Sequence, residues 1–228
     1  MNIAVIPARA GSRRIPNKNI KPLLGKPAIS YAIELAKKVE VFDHIFVSTD
    51  SQEIASLAIN LGAEVPGLRP EILSNDFATT LQVMGFTIDE LLQTIPNLDF
   101  VCCIYPVTPL LEPKRILEGF ELIKSRDLDY VFSVAENNFN PKRSFQIAEY
   151  DLVEKFEKNY EFSRTQDLIP YFNDAGQFYW GKSDAWRRRA TILGGNSAVI
   201  KLGKWEVVDV DTQEDWDLME TLLSYRLK

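Results

Sequence analysis

Residues 3–19 constrain this chain more than any other stretch. They read I-A-V-I-P-A-R-A-G-S-R-R-I-P-N-K-N, an apolar strand-like run that turns abruptly into small and basic residues. A buried strand ending in a small-residue loop brings backbone N–H groups close to an anion. Arg9, Arg13, Arg14 and Lys18 lie in the loop, Lys21 and Lys26 follow, and no acidic residue precedes Glu34. The whole chain nevertheless carries a formal charge of −6. A local positive loop on an acidic protein predicts a small polyanionic ligand and argues against nucleic acid, which the remaining surface repels. A Walker loop is excluded, because no second glycine stands between Gly11 and Lys18 and Gly25-Lys26 is followed by Pro27. The dinucleotide pattern G-x-G-x-x-G is absent too.

The 228 residues suit one α/β domain. No apolar run approaches the roughly 18 residues that span a bilayer, and no leader pattern is visible at the N-terminus. Cys102 and Cys103, the only cysteines, are neighbours on an expected strand, where they point to opposite faces and cannot pair with each other. A cytoplasmic protein is the plain expectation. The single histidine, His44, lies between an expected helix and strand, so histidine triads and the usual zinc sites are disfavoured.

Strand-like and helix-like segments alternate, which predicts a three-layer α/β architecture: a mostly parallel sheet with helices on both faces. Strands are expected near 2–7, 44–48, 100–104, 130–134, 176–180, 197–201 and 205–208. Helices are expected near 27–39, 52–61, 79–93, 112–123 and 213–227, with Ile116, Leu117, Phe120 and Ile123 buried on the fourth. Residues 136–175 lack periodicity and are polar and aromatic. They are expected to form an inserted arm in which Tyr150, Phe156, Tyr160, Phe162 and Tyr171 find burial.

Ligands of such sheets bind beyond the carboxyl ends of the strands. Loop 9–19, Ser48-Thr49-Asp50, Tyr105-Pro106-Val107-Thr108 and Asp209-Val210-Asp211 all fall there. Two carboxylates at i and i+2 on extended backbone share a side and suit a hard cation such as Mg²⁺. Asp211 or Thr212 equally suits capping of the last helix. Arg9 and Arg13 suit clamping of phosphate, and Lys18 suits a point contact. Arg69 reads as a surface ion-pair residue, Thr79 and Thr80 as N-caps, and Arg164 as either a carboxylate clamp or a surface residue.

R-x-G-S-x-x-I-P-x-K-N over residues 9–19 resembles the signature loop of the cytidylyltransferases that activate nonulosonic (sialic-type) acids with CTP. The segment 69–76 resembles their R-P-x-x-L-x-x-D, and Asp209-Val210-Asp211 their D-x-D. C-C-I-Y at 102–105 and D-A-G-Q-F-Y-W-G at 174–181 resemble the pseudaminic acid branch. Tyr105 and Val107 stand where enzymes acting on N-acetylneuraminate have glutamine and threonine, and Arg13 stands where those enzymes have lysine.

The resemblance covers the whole chain. It implies a Rossmann-like nucleotidyltransferase fold and Mg²⁺-dependent transfer of CMP from CTP to the anomeric hydroxyl of pseudaminate or a related acid, with pyrophosphate released. A CTP-binding module without catalysis is the alternative. It implies Arg9, Arg13, Lys18, Asp209 and Asp211 in catalysis, the two aspartates holding metal. Ala8, Ala10, Gly11, Ser12, Asn19, Arg69, Ala78, Thr79 and Thr80 are implied around the nucleotide. Tyr105, Thr108, Arg164, Asp174, Gln177 and Tyr179 are implied around the acid. A homodimer, with arm 136–175 reaching a neighbouring site, and a bacterial source are also implied.

Overall fold

The computed structural model describes residues 1–137, 139–155 and 164–228. Along the chain, β1 (Asn2–Pro7) leads through the basic loop to a small ribbon, β2 (Pro22–Leu23) with β3 (Lys26–Pro27). Helix α1 (Ala28–Lys38), β4 (His44–Ser48), α2 (Gln52–Asn60), α3 (Thr80–Leu91), β5 (Phe100–Ile104), α4 (Pro113–Ser125) and β6 (Tyr130–Glu136) follow. A hairpin, β7 (Phe145–Ile147) with β8 (Val153–Lys155), precedes β9 (Phe172–Lys182), α5 (Ser183–Arg187), β10 (Ser197–Leu202) and α6 (Gln213–Arg226).

The main sheet has the order β10-β6-β9-β5-β1-β4. Strands β4, β1 and β5 pair in parallel, as do β6 and β10, while β9 runs antiparallel between β5 and β6. The expected mostly parallel sheet with helices on both faces is therefore observed. Reversal of β9 has one consequence for function. Its amino-terminal half, carrying Asp174 and Gly176, lies at the edge where β1, β4 and β5 end.

Side chains alternate between two cores, as strand geometry requires. Ala4, Ile6, Cys102, Ile104 and Trp180 pack with Ile29, Ile33 and Ala36 of α1 and with Ile116, Phe120 and Ile123 of α4. Ile3, Val5, Cys103, Tyr130 and Tyr179 pack on the other face with Met84 and Ile88 of α3 and Trp186 of α5. Gly119 permits the first contact, since a Cβ there would stand 2.9 Å from both Phe178 and Trp180. Helix α2 ends at Gly62, whose φ of +81° is the left-handed turn glycine adopts at no steric cost.

Three expectations are corrected. Leu117 lies on the solvent side of α4. Residues 205–208 form no strand: buried Glu206 accepts two 2.8 Å bonds from Arg115 and another from the Gly203 N–H, folding the chain into a turn that leaves Trp205 exposed. Tyr150 and Tyr171 are exposed rather than buried, and Phe156, Tyr160 and Phe162 lie outside the described residues. Among the described residues, no helix is long and apolar enough to cross a membrane.

Candidate active site

A cleft of about 550 Å³ opens at the carboxyl edge of β1 and β5 and is lined by Arg9, Ser12, Arg13, Arg14, Lys18, Asn19, Arg69, Ala78, Thr80, Tyr105 and Asp211, among others. The basic loop forms its floor. Ala8 donates to the Ser48 carbonyl at 2.9 Å, and Ala10 donates to Asp50 Oδ1 at 2.9 Å, which ties the loop to the end of β4. Asn17 turns the chain at φ +54°, a region asparagine tolerates. Gly11 is exposed at the rim with open space around its Cα.

A small third core explains why the charges of this loop face the cleft. Ile15 is 2% exposed and packs with Leu23, Val107, Val210, Trp216, Met219 and Leu223. Val210 lies in the same cluster, between Asp209 and Asp211. Burying an anchor in each segment turns the flanking charged residues outward, and each anchor contributes roughly 1.5–3 kcal/mol.

The cations meet acceptors across the cleft. Arg9 and Arg13 reach the two oxygens of Asp76 at 2.8 and 2.6 Å. Arg14 pairs with Asp211 at 2.7 Å, and Lys18 Nζ donates to the Val210 carbonyl at 2.8 Å. Burial lowers the Lys18 pKa, and nearby Asp211 and Asp209 oppose that shift. Asn19 is buried. Its Nδ2 donates to the Arg9 carbonyl at 2.8 Å, while its Oδ1 has no donor.

Arg69 is 6% exposed, so the surface ion-pair reading is corrected. Its guanidinium donates to the Ser48 carbonyl and the Ser74 hydroxyl, both at 3.2 Å, and burial lowers its pKa. Thr79 caps α3 in a capping box with Gln82. Thr80 instead turns inward, its Oγ1 2.7 Å from the Tyr105 hydroxyl.

Asp209 and Asp211 keep separate duties from the helix cap, which Thr212 supplies with Asp215. Partial burial and then the charge of Asp211 raise the Asp209 pKa. Asp211 lines the cleft and Asp209 stands just outside its wall, with both charges acting on Lys18; the pair fits a hard cation only where ligand oxygens complete the shell. Among the described residues no group of three or more His, Cys, Asp and Glu gathers, so the protein alone makes no metal cage.

A second cavity of about 360 Å³ shares Thr80 and Tyr105 with the first and adds Thr79, Leu81, Asp174, Tyr179, Thr191, Ile192 and Leu193. Tyr179 donates to Asp174 at 2.9 Å and its ring packs against that of Tyr105, the centroids 5.4 Å apart, while Tyr105 meets Thr80. Burial is the main cause pushing the Tyr105 pKa up to about 12. Gly176, at φ +59°, lies where the cavities approach: a Cβ there would stand 3.8 Å from Asp209 Oδ1 and 3.9 Å from the Tyr105 ring.

Seven sequence candidates line neither cavity: Ala8, Ala10, Gly11 and Asp209, which flank the first, together with Thr108, Gln177 and Arg164. Thr108 is buried and donates to the Tyr105 carbonyl at 3.2 Å. Gln177 is buried and donates to the carbonyls of Ala175 and Gly176, supporting the irregular β6–β9 register. Arg164 is exposed and pairs with Asp167 at 2.7 Å. Conversely, Asp76, Arg14 and the wall 191–193 belong to the cavities although the sequence singled out no role for them. Arg14 had a signal in the basic run. Asp76 closed the R-P-x-x-L-x-x-D segment, and its partners 63 and 67 residues away could not be read from local pattern.

The family model described as Cytidylyltransferase matches residues 3–225. Over 97% of its length, and 95% of the relative's, the chain is 37% identical to the pseudaminic acid cytidylyltransferase of Campylobacter jejuni. It is 39% identical, over 91% of its length, to a Helicobacter pylori protein named as pseudaminic acid cytidylyltransferase and a UDP-sugar hydrolase, of which it covers 40%. Among solved structures, CMP:2-keto-3-deoxy-manno-octonic acid synthetase complexed with CTP superposes with a TM-score of 0.70 at 16% identity, over 99% of each chain. At that identity the superposition speaks for the fold alone. The length and identity of the sequence matches carry the remaining step: this chain belongs to the cytidylyltransferase family.

Proposed function

We propose that the protein transfers CMP from CTP to the anomeric hydroxyl of pseudaminate, releasing pyrophosphate. The observation that carries this reading is the adjacency of the two cavities. One is walled by cations, the other by the packed Tyr105 and Tyr179 rings, Asp174 and apolar side chains, and they share Thr80 and Tyr105. The triphosphate lies along Arg9, Ser12, Arg13 and Lys18, Asn19 borders the ribose, and Arg69 with the 78–80 turn borders the nucleoside. The acid occupies the second cavity beside Tyr105, Asp174 and Tyr179, with its hydroxyl directed toward the α-phosphorus. Attack there expels pyrophosphate, and the cations stabilise the charge that accumulates on the leaving oxygens. Asp209 and Asp211 are the residues that would hold a divalent cation such as Mg²⁺, which would supply neutralisation of the triphosphate charge. His44 takes no part: its Nδ1 lies 2.7 Å from Glu64, at the start of β4.

The protein acts as a homodimer in the cytoplasm, with arm 136–175 as the contact. Support comes from the arm's exposed Phe139, Phe145, Ile147, Tyr150, Leu152 and Val153, a run of apolar surface of the kind that marks association sites.

The deciding experiment measures pyrophosphate release from CTP and Mg²⁺ with pseudaminate, legionaminate and N-acetylneuraminate in parallel. Turnover with pseudaminate alone is expected. Turnover with another acid instead would keep the chemistry and reject the acceptor. CTP binding without release in any arm would leave a non-catalytic nucleotide module.

A further inference from the structure

We infer that Asp76 is a resident counter-anion of the phosphate loop, which pairs with Arg9 and Arg13 and competes with the triphosphate for them. The proposal rests on the reading of the first cleft as the CTP site. One carboxylate bridges two guanidinium groups, Arg9 Nη1 at 2.8 Å and Arg13 Nη2 at 2.6 Å, an arrangement a phosphate group can replace oxygen for oxygen. All three residues line that cleft. Arg13 is 85% exposed even with this pair formed, so an entering anion can reach its guanidinium.

The segment that presents Asp76 does not depend on these ion pairs. Asn75 Oδ1 accepts from the N–H groups of Phe77 and Ala78 at 2.9 and 3.0 Å. The Ser74 hydroxyl accepts from Arg69 and donates to the Pro70 carbonyl. On the other side, Thr79 and Gln82 close the capping box of α3. Asp76 is thus presented to the arginines by a turn built from its neighbours, and removing its charge leaves the turn in place.

A phosphate that takes the Arg9 Nη1 and Arg13 Nη2 donors displaces the carboxylate from them, since one N–H does not serve two like-charged oxygens well. Entry of the triphosphate releases Asp76, and departure of pyrophosphate lets it return. The carboxylate therefore lowers affinity for both anions and favours release of the product. A merely structural Asp76 would have the opposite signature, because loosened arginines bind phosphate less well.

Calorimetric titration of the ligand-free protein with inorganic pyrophosphate, at one fixed ionic strength, separates the two. Asp76→Asn and Asp76→Ser are expected to bind pyrophosphate about three- to tenfold tighter than wild type. Their KM for CTP falls by a similar factor, pyrophosphate becomes a stronger product inhibitor, and Asp76→Glu restores wild-type values. Unchanged or weaker pyrophosphate binding in both neutral variants would overturn the proposal. Failure of the wild-type protein to bind either pyrophosphate or CTP would instead reject the cleft reading, and this inference with it.

Discussion

The chain leaves its sheet in two long excursions, and they are built on opposite plans. The basic loop between β1 and α1 is charged on its surface but pinned from beneath, by Ile15 in the third core and by hydrogen bonds to Ser48 and Asp50. The hairpin of β7 and β8 is apolar on its surface, and among the described residues none of its side chains belongs to a core cluster. Phe145 is 57% exposed, Ile147 72% and Tyr150 90%, the last at a turn where its φ is +59°. A pinned polar loop holds its geometry before a ligand arrives. A two-stranded ribbon with bare apolar faces is marginal in water by itself and gains its definition from a covering surface. The first plan suits recognition of a small anion, the second association with another folded surface.

The sharpest way to break this contrast is to remove the acids opposite the pinned loop. Asp209→Asn and Asp211→Asn are each expected to reduce kcat/KM at least about 100-fold. The melting temperature of ligand-free Asp209→Asn should hold or rise, since the change relieves repulsion. Pyrophosphate-release kinetics and thermal melts check both halves. Next in size is the anchor itself: Ile15→Ala should destabilise folding by about 2–5 kcal/mol and raise the KM for CTP, as read by urea titration and initial rates. The hairpin should respond the other way. Tyr150→Asp with Phe145→Ser is expected to change monomer stability by only about 0.5 kcal/mol each, while light scattering shows the dimer giving way to monomer.

The smallest effect is in the pH profile. Asp209 has its pKa raised on folding, so between its unfolded value of 3.8 and the folded value the native state retains more proton. Its contribution to stability therefore declines as pH rises through that window and is absent in Asp209→Asn. Lys18 has a lowered pKa, so below the model-peptide value of 10.5 the unfolded chain binds more proton, and its contribution improves as pH rises through that window. Urea titrations across pH resolve the two opposite slopes.

Much of this arrangement was legible in the sequence, for identifiable reasons. Helix and strand positions followed from periodicity: Ile29, Ala32, Ile33 and Ala36 bury one stripe of α1, and Cys102 and Cys103 enter opposite cores. Most cleft residues were legible as well, because fold class places strand-end loops at one edge. Three kinds of information were not local. The pairing of Arg115 with Glu206 spans 91 residues and converts an apparent strand into a turn. The reversal of β9, which brings Asp174 to the cavity, is a matter of topology. The salt bridges of Asp76 depend on where two distant loops meet. Gln177 is a different case: the resemblance of segment 174–181 gave it a place around the acid, and in the structure its amide is buried and donates to the Ala175 and Gly176 carbonyls.

The neighbouring thiols of β5 have a use beyond packing. Cys102 and Cys103 are fully buried on opposite faces of a central strand, and burial pushes both pKa values up. An alkylating reagent can reach neither until the layers separate, so modification is a stopwatch for opening of the sheet. One thiol times the side covered by α1 and α4, the other the side covered by α3 and α5. A difference between the two rates would mean that the protein sheds one helical layer before the other, and peptide mass spectrometry would tell which.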